Sequence, residues 1–117
     1  ALSYYEKRGY LDLPKPPAGC VLNHHSFFII FKKMKNRSDF ITNLKSEFNV
    51  NSYIGYQPLH SSKKGLELGY KKEDLPITQD LSSKIVRLPF YTELGLSEEH
   101  LNYTISSMIS VLNKIFE

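Results

Sequence analysis

The sequence predicts an α+β fold, a short antiparallel or mixed sheet covered by helices. Three observations carry that reading. Residues 26–32, "SFFIIFK", form a continuous apolar, β-branched and aromatic run that suits a buried strand. Leu101, Ile105, Met108, Leu112 and Ile115 recur at helical spacing near the C-terminal end. Between them, extended and helical patterns alternate without internal repeats or low-complexity tracts. With 117 residues, 41% hydrophobic and 13% aromatic, the chain is long enough to enclose one core.

The elements follow in order. "ALSYYEKRGY" has no initiator methionine and reads as the last turns of a helix stopped by Gly9, as if cut from something longer. "LDLPKPPAGC" carries three prolines and a glycine, which predicts an extended connector or edge segment. The strand at 26–32 comes next. In "NRSDFITNLKSEF", residues 36–48, Phe40, Ile41, Leu44 and Phe48 share a helix face; Asn36 is the expected cap, with Asp39 completing an imperfect capping box. "VNSYIGY", residues 50–56, is the second strand, and the polar stretch 61–76 is expected to be a long loop. Thr78 is placed as the N-cap of a short helix running through Val86, with Leu81 and Ile85 inward. "VRLPFY", residues 86–91, is a brief strand that Pro89 should confine to an edge or a terminus. Ser97, followed by Glu98 and Glu99, caps the final helix and complements its positive end.

Composition excludes some functions. A net charge of +3, from 15 basic and 12 acidic residues, is too mild to argue for nucleic acid, and the lysines are scattered. The single cysteine, Cys20, precludes an internal disulfide and suits a reducing compartment. The longest apolar run, residues 27–31, is too short to span a bilayer, and no signal segment opens the chain, so the expected location is the cytoplasm.

Candidate chemistry is sparse. Adjacent His24 and His25 would point to opposite faces of a strand and could not chelate one ion together. Strand alternation puts His25 on the face of Phe27 and Ile29, at the end of the sheet. Ser61 and Lys64 have the S-x-x-K spacing of some acyl-enzymes, but Gly65 and its polar neighbours argue for a loop. No nucleophile elbow or glycine-rich phosphate cradle is present. "KKGLELGY" lacks the aromatic that an RNA-recognition sheet would stack on a base. The segment that reads least like scaffold is "GYQPLHSSKKG", residues 55–65, where Pro58 stiffens the chain between Tyr56 and His60. On these grounds alone the expectation is a soluble α+β domain with one stiff loop as the candidate for function; a free-standing ligand- or RNA-binding module remains the alternative.

Taken together, "YYEKRGYLDLPKPPAGCVLNHHSFFIIF", "NRSDFITNLKSEF", "YQPLHSSKKG", "LPIT" and "IVRLPFY" resemble, in order and spacing, the C-terminal domain of the DegT-type, pyridoxal-phosphate-dependent sugar-nucleotide aminotransferases. Within that family the likeness is greatest to the TDP-4-keto-6-deoxyglucose, 4-amino-4,6-dideoxygalactose-forming transaminases. The resemblance implies the small C-terminal domain of the aspartate-aminotransferase fold (PLP fold type I) over residues 1–117, with 1–9 the end of an interdomain helix and the large cofactor-binding domain absent. It also implies a homodimer with shared active sites, pyridoxal 5'-phosphate bound by the large domain, glutamate as amino donor, and a role in cell-surface polysaccharide synthesis such as lipopolysaccharide, O-antigen or common antigen. No lysine here stands in the family's cofactor-binding context, so the chain alone is expected to be inactive. Matched residue by residue, His25 corresponds to the histidine of the family's "(N/G)-x-H-x-F" strand start. Tyr56 and His60 correspond to the tyrosine and last histidine of its "H-Y-x-P-L-H" segment, which implies substrate contacts. Gly55 replaces the first histidine of that segment. Arg87 matches the arginine of "RLP", with structural pairing beside the sheet as its expected role.

Overall fold

A computed structural model describes residues 1–23 and 25–117. His24, and with it the expected opposition of the two adjacent histidines, lies outside the described residues. The elements are α1 (Ser3–Lys7), β1 (Leu11–Asp12), β2 (Phe28–Phe31), α2 (Met34–Phe48), β3 (Tyr53–Ile54), α3 (Lys63–Glu67), α4 (Pro76–Lys84), β4 (Ile85–Arg87) and α5 (Glu98–Phe116), with 3-10 turns at Lys72–Asp74 and Thr92–Leu96. The four strands form one antiparallel sheet in the order β1-β2-β4-β3.

The apolar run at β2 forms the centre of this sheet. Ile29 and Phe31 are buried while Phe28 and Ile30 are half-buried, which is the period-two pattern of a strand with one face on the core. Ile29 pairs with Val86 of β4, and both join Phe40 and Leu44 of α2 and Met108, Val111 and Leu112 of α5 in a single cluster. Tyr5 of α1 enters the same cluster and donates its hydroxyl to the Asn113 side chain. β1 occupies an edge, and the proline-bearing stretch follows it outside the ladder.

Several sequence expectations are corrected. β4 is an interior strand, not an edge. It ends at Arg87, so Pro89 falls beyond the ladder, and the last useful donor, Leu88 N–H, still reaches Phe27 O at 2.9 Å. α2 starts at Met34, with extended Lys33 as a cap that makes no side-chain bond; Asn36 lies inside the helix, and Asp39 pairs with Lys35 instead. Residues 61–76 are not one loop: Ser62 Oγ accepts from Gly65 N–H at 3.1 Å and opens α3. α4 begins at Pro76, whose fixed φ suits a first helical position, so Thr78 is inside the helix. Leu81 is 44% exposed rather than inward, on a helix that buries none of its residues fully.

α5 starts where expected, with Ser97 Oγ accepting from His100 N–H at 3.3 Å. Its buried face is rotated relative to the predicted stripe: Met108 and Leu112 are buried, but Ile105 sits at the rim, 37% exposed, and Thr104, Ser107 and Val111 complete the core side. Ser107 tolerates burial because its hydroxyl donates to Tyr103 O at 2.8 Å.

Candidate functional site

Of the sequence-predicted residues, His25, Tyr56 and Arg87 fall around β4. Its Arg87 is pinned from both sides by the ladder, opposite Phe28 of β2 and Tyr53 of β3. The chain leaving β3 passes Gly55 close over Ile85: a Cβ at position 55 would stand 2.4 Å from Ile85 Cγ2. That approach delivers Tyr56 to Arg87. Arg87 Nη1 donates to the Tyr56 hydroxyl at 3.2 Å, and the guanidinium carbon lies 5.2 Å from the centre of the Tyr56 ring. Tyr56 is otherwise 78% exposed.

His25 is exposed, not packed with core neighbours. β2 begins only at Phe28, so strand alternation does not extend back to residue 25, which sits in a bend where its N–H donates to Asn23 Oδ1 at 3.1 Å. Even so, His25 and Tyr56 line one cavity of about 390 Å³ together with Arg87, Thr78 and Ser82. The hydroxyl-bearing residues of α4 and the role of Arg87 as a cavity wall went unread in the sequence. The available signal was a lone charge inside an apolar strand, "IVRLP".

His60 is placed differently. It is 6% exposed and absent from the lining of that cavity. Its Nε2 lies 3.3 Å from Lys72 O, and since a carbonyl can only accept, this nitrogen carries the proton. Beneath it, Gly65 packs on the loop backbone so closely that a Cβ there would meet Leu59 O at 2.2 Å. Ser61 N–H and Ser61 Oγ both reach Pro58 O, at 3.2 and 3.4 Å. The segment 56–65 is therefore a turn locked onto α3. Within it Ser61 is committed to Pro58, and Lys64 pairs with Glu67 at 3.3 Å, which leaves the S-x-x-K spacing without an activated nucleophile.

Two further cavities lie nearby, one beside the segment that follows β4 and one against Arg87 itself. An apolar one of about 930 Å³ is lined by Phe27, Phe90, Leu94, Ile105 and Met108, with His25 at its wall. The other, about 430 Å³, is lined by Tyr53, His100, Tyr103 and the opposite flank of Arg87. Among the described residues no group of three His, Cys, Asp or Glu side chains is gathered to hold a metal ion, and no helix is long and apolar enough to cross a membrane.

The fold, a small antiparallel sheet with helices packed on it, is one found within solved aminotransferase structures. A sugar aminotransferase structure from Streptococcus pneumoniae in its PLP form superposes with a TM-score of 0.76 at 19% identity, covering 99% of this chain and 30% of that one. NtdA from Bacillus subtilis, solved with bound PMP, superposes with a TM-score of 0.66 at 22% identity over 96% of this chain and 25% of its own. At these identities the likeness speaks for fold alone. The family follows from the sequence: residues 5–108 match the DegT/DnrJ/EryC1/StrS aminotransferase family, and the chain belongs to it. A curated relative from Micromonospora megalomicea subsp. nigra, dTDP-3-amino-3,4,6-trideoxy-alpha-D-glucose transaminase, is 29% identical over 85 residues, 72% of this chain. The chain spans only 22% of that relative's length. Family membership disfavours the free-standing RNA- or metabolite-binding module.

The described residues do not fit the cofactor of those neighbours. None of the three cavities is lined by a lysine, and the one lysine that is not exposed, Lys84, is engaged by Asp80 at 2.7 Å. The longest helix, α5, carries Glu98 and Glu99 in its first turn, which opposes a phosphate there.

Proposed function

We propose that residues 1–117 form the C-terminal small domain of an aminotransferase that aminates a nucleotide-linked 4-keto-6-deoxy sugar, with residues 1–9 ending an interdomain helix. The observation that carries this reading is the family match over residues 5–108. The amino-carrying chemistry belongs to pyridoxal 5'-phosphate on a separate large domain, so this chain by itself does not transaminate. The amino donor is glutamate, the working form is a cytoplasmic homodimer, and the product is the 4-amino-4,6-dideoxygalactose of a cell-surface polysaccharide such as lipopolysaccharide.

In this reading the domain supplies orientation. His25 and Tyr56 border one cavity and offer an imidazole and a phenol to the sugar nucleotide. His60 acts through the loop that carries Tyr56: its bond to Lys72 O holds that loop against the 3-10 turn. Polar groups fixed this way contribute substrate binding without reorganising when substrate arrives.

The test uses the complete coding sequence containing this domain. With glutamate and TDP-4-keto-6-deoxyglucose the enzyme yields the 4-amino sugar nucleotide; failure to aminate any nucleotide-linked keto sugar overturns the reading. In that enzyme His25→Ala lowers kcat/KM about ten- to a hundredfold, the value of a lost charge-assisted contact. Because His25 is exposed, its melting temperature stays unchanged.

A further inference from the structure

We infer that Arg87 anchors the diphosphate of the substrate, in the cavity it shares with His25, Tyr56, Thr78 and Ser82. The inference deepens the proposed function and takes its ligand class from that reading; the anchoring residue comes from the geometry.

Arg87 is half-buried and permanently charged. Charges withdrawn from water are ordinarily paired. The six ion pairs among the described residues engage Lys15, Lys32, Lys35, Lys64, Lys84 and Lys114, and none involves Arg87. Its one recorded side-chain bond is to a neutral phenol, through Nη1. A guanidinium has five N–H donors in a planar fork, so the remaining donors stay open to a ligand at the cavity wall. Tyr56 fixes where they stand. The bond to its hydroxyl and the ring beneath the guanidinium carbon hold the side chain in one pose, while the β2 and β3 ladders hold its backbone. A preset planar fork suits a phosphate, which it can engage with two parallel bonds.

The surroundings agree with an anion. The cavity lining contains no aspartate or glutamate; it adds the His25 imidazole and the Thr78 hydroxyl, while the Ser82 hydroxyl is already donated to Gln79 O at 2.9 Å. Lys84 and Asp80, which share α4 with them, neutralise each other at 2.7 Å. A volume of about 390 Å³ lies within the range of small-molecule cavities, about 300–1,000 Å³, and has room for a diphosphate with part of the attached sugar.

The test is direct binding to this chain, which needs no catalysis. The isotopically labelled protein is titrated by NMR with inorganic pyrophosphate, and in parallel with dTDP. The expected result is a saturable shift of the Arg87 side-chain N–H signal together with signals of Tyr56 and His25. Arg87→Met weakens pyrophosphate binding about ten- to a hundredfold, and Arg87→Lys, which keeps the charge but loses the fork, about three- to tenfold. Tyr56→Phe, which leaves the backbone and core untouched, weakens it about two- to fivefold by freeing the guanidinium. Unsaturating shifts spread over the surface lysines, or equal affinity in folded Arg87→Met and Tyr56→Phe proteins, overturn the inference. If pyrophosphate binds at Arg87 while the complete enzyme aminates no nucleotide sugar, the proposed function fails and this site stands. If the enzyme is active while Arg87 is unmoved by either probe, only this site fails.

Discussion

At position 55, where the sequence resemblance implies a histidine, this chain carries a glycine that packs closely against Ile85. Any side chain there meets Ile85 Cγ2, which is attached directly to Cβ and cannot swing aside. Restoring the histidine by Gly55→His is therefore expected to destabilise the protein by about 1–3 kcal/mol, as overpacking does. Ile85→Ala removes the obstructing methyl, so the double variant Gly55→His/Ile85→Ala should lose less stability than the two single losses added together. Urea denaturation of the four proteins measures this; strict additivity would show that Ile85 is not what excludes the side chain. The same close approach explains why the site was only partly legible in the sequence. Tyr56 and His25 could be matched by motif, but the Arg87–Tyr56 pair depends on a strand register across 31 positions. His60 was legible as a motif residue, yet its burial beside Lys72 O depends on the fold of the following loop.

The elements divide by how local their determinants are. α5 was readable because Ser97, Glu98 and Glu99 signal its start without reference to anything distant. β4 was misread as an edge because a proline two places beyond its end carries no information about where the ladder stops. α3 was missed because Gly65 argues against a helix locally; the helix exists because only glycine fits against the Leu59 and His60 carbonyls. The connection from α1 to the proline segment makes a pH-dependent prediction. Glu6 accepts from the Lys15 ammonium at 3.0 Å and from Leu13 N–H at 3.1 Å, and these two, the Lys15 bond first, hold its carboxyl below the ordinary glutamate range. A lowered folded-state pKa gives stability that is present above the unfolded-state value and is lost as pH falls through the folded one. The difference in melting temperature between the native protein and Glu6→Gln should accordingly be largest near neutrality and shrink in acid below the ordinary glutamate range. A difference that grows on acidification would contradict the assignment.

The whole molecule is more open than its length requires. Its radius of gyration is 15.8 Å, whereas a self-contained domain of this size has about 13 Å. The excess goes with apolar side chains left in water, among them Leu59 at 85% and Ile77 at 75% exposure, and with the apolar cavity between the 89–95 segment and α5. Surfaces of this kind are normally covered. The chain on its own should therefore associate with itself: in sedimentation velocity the average mass rises above the 13.5 kDa of one chain as concentration increases. A single species of one-chain mass at all concentrations would show that the exposed groups are too dispersed to act as a surface.

The contact of Tyr5 with Asn113 spans 108 residues, and that span has a consequence for the route by which the protein folds. Loop-closure entropy rises with the logarithm of the segment enclosed, so a contact joining α1 to the far end of α5 is favoured only after the intervening chain has collapsed. The sheet and the α2–α5 packing can assemble first; α1 is then the last piece to dock. Removing the hydroxyl with Tyr5→Phe should cost about 1 kcal/mol, since the phenol also lies 3.4 Å from Ile109 O and leaves two acceptors behind. All of that loss should appear in the unfolding rate, about fivefold faster, with the refolding limb of the chevron unmoved. Slower refolding in the variant would instead place α1 in the nucleus, and the two ends of the chain would have to meet before the sheet forms.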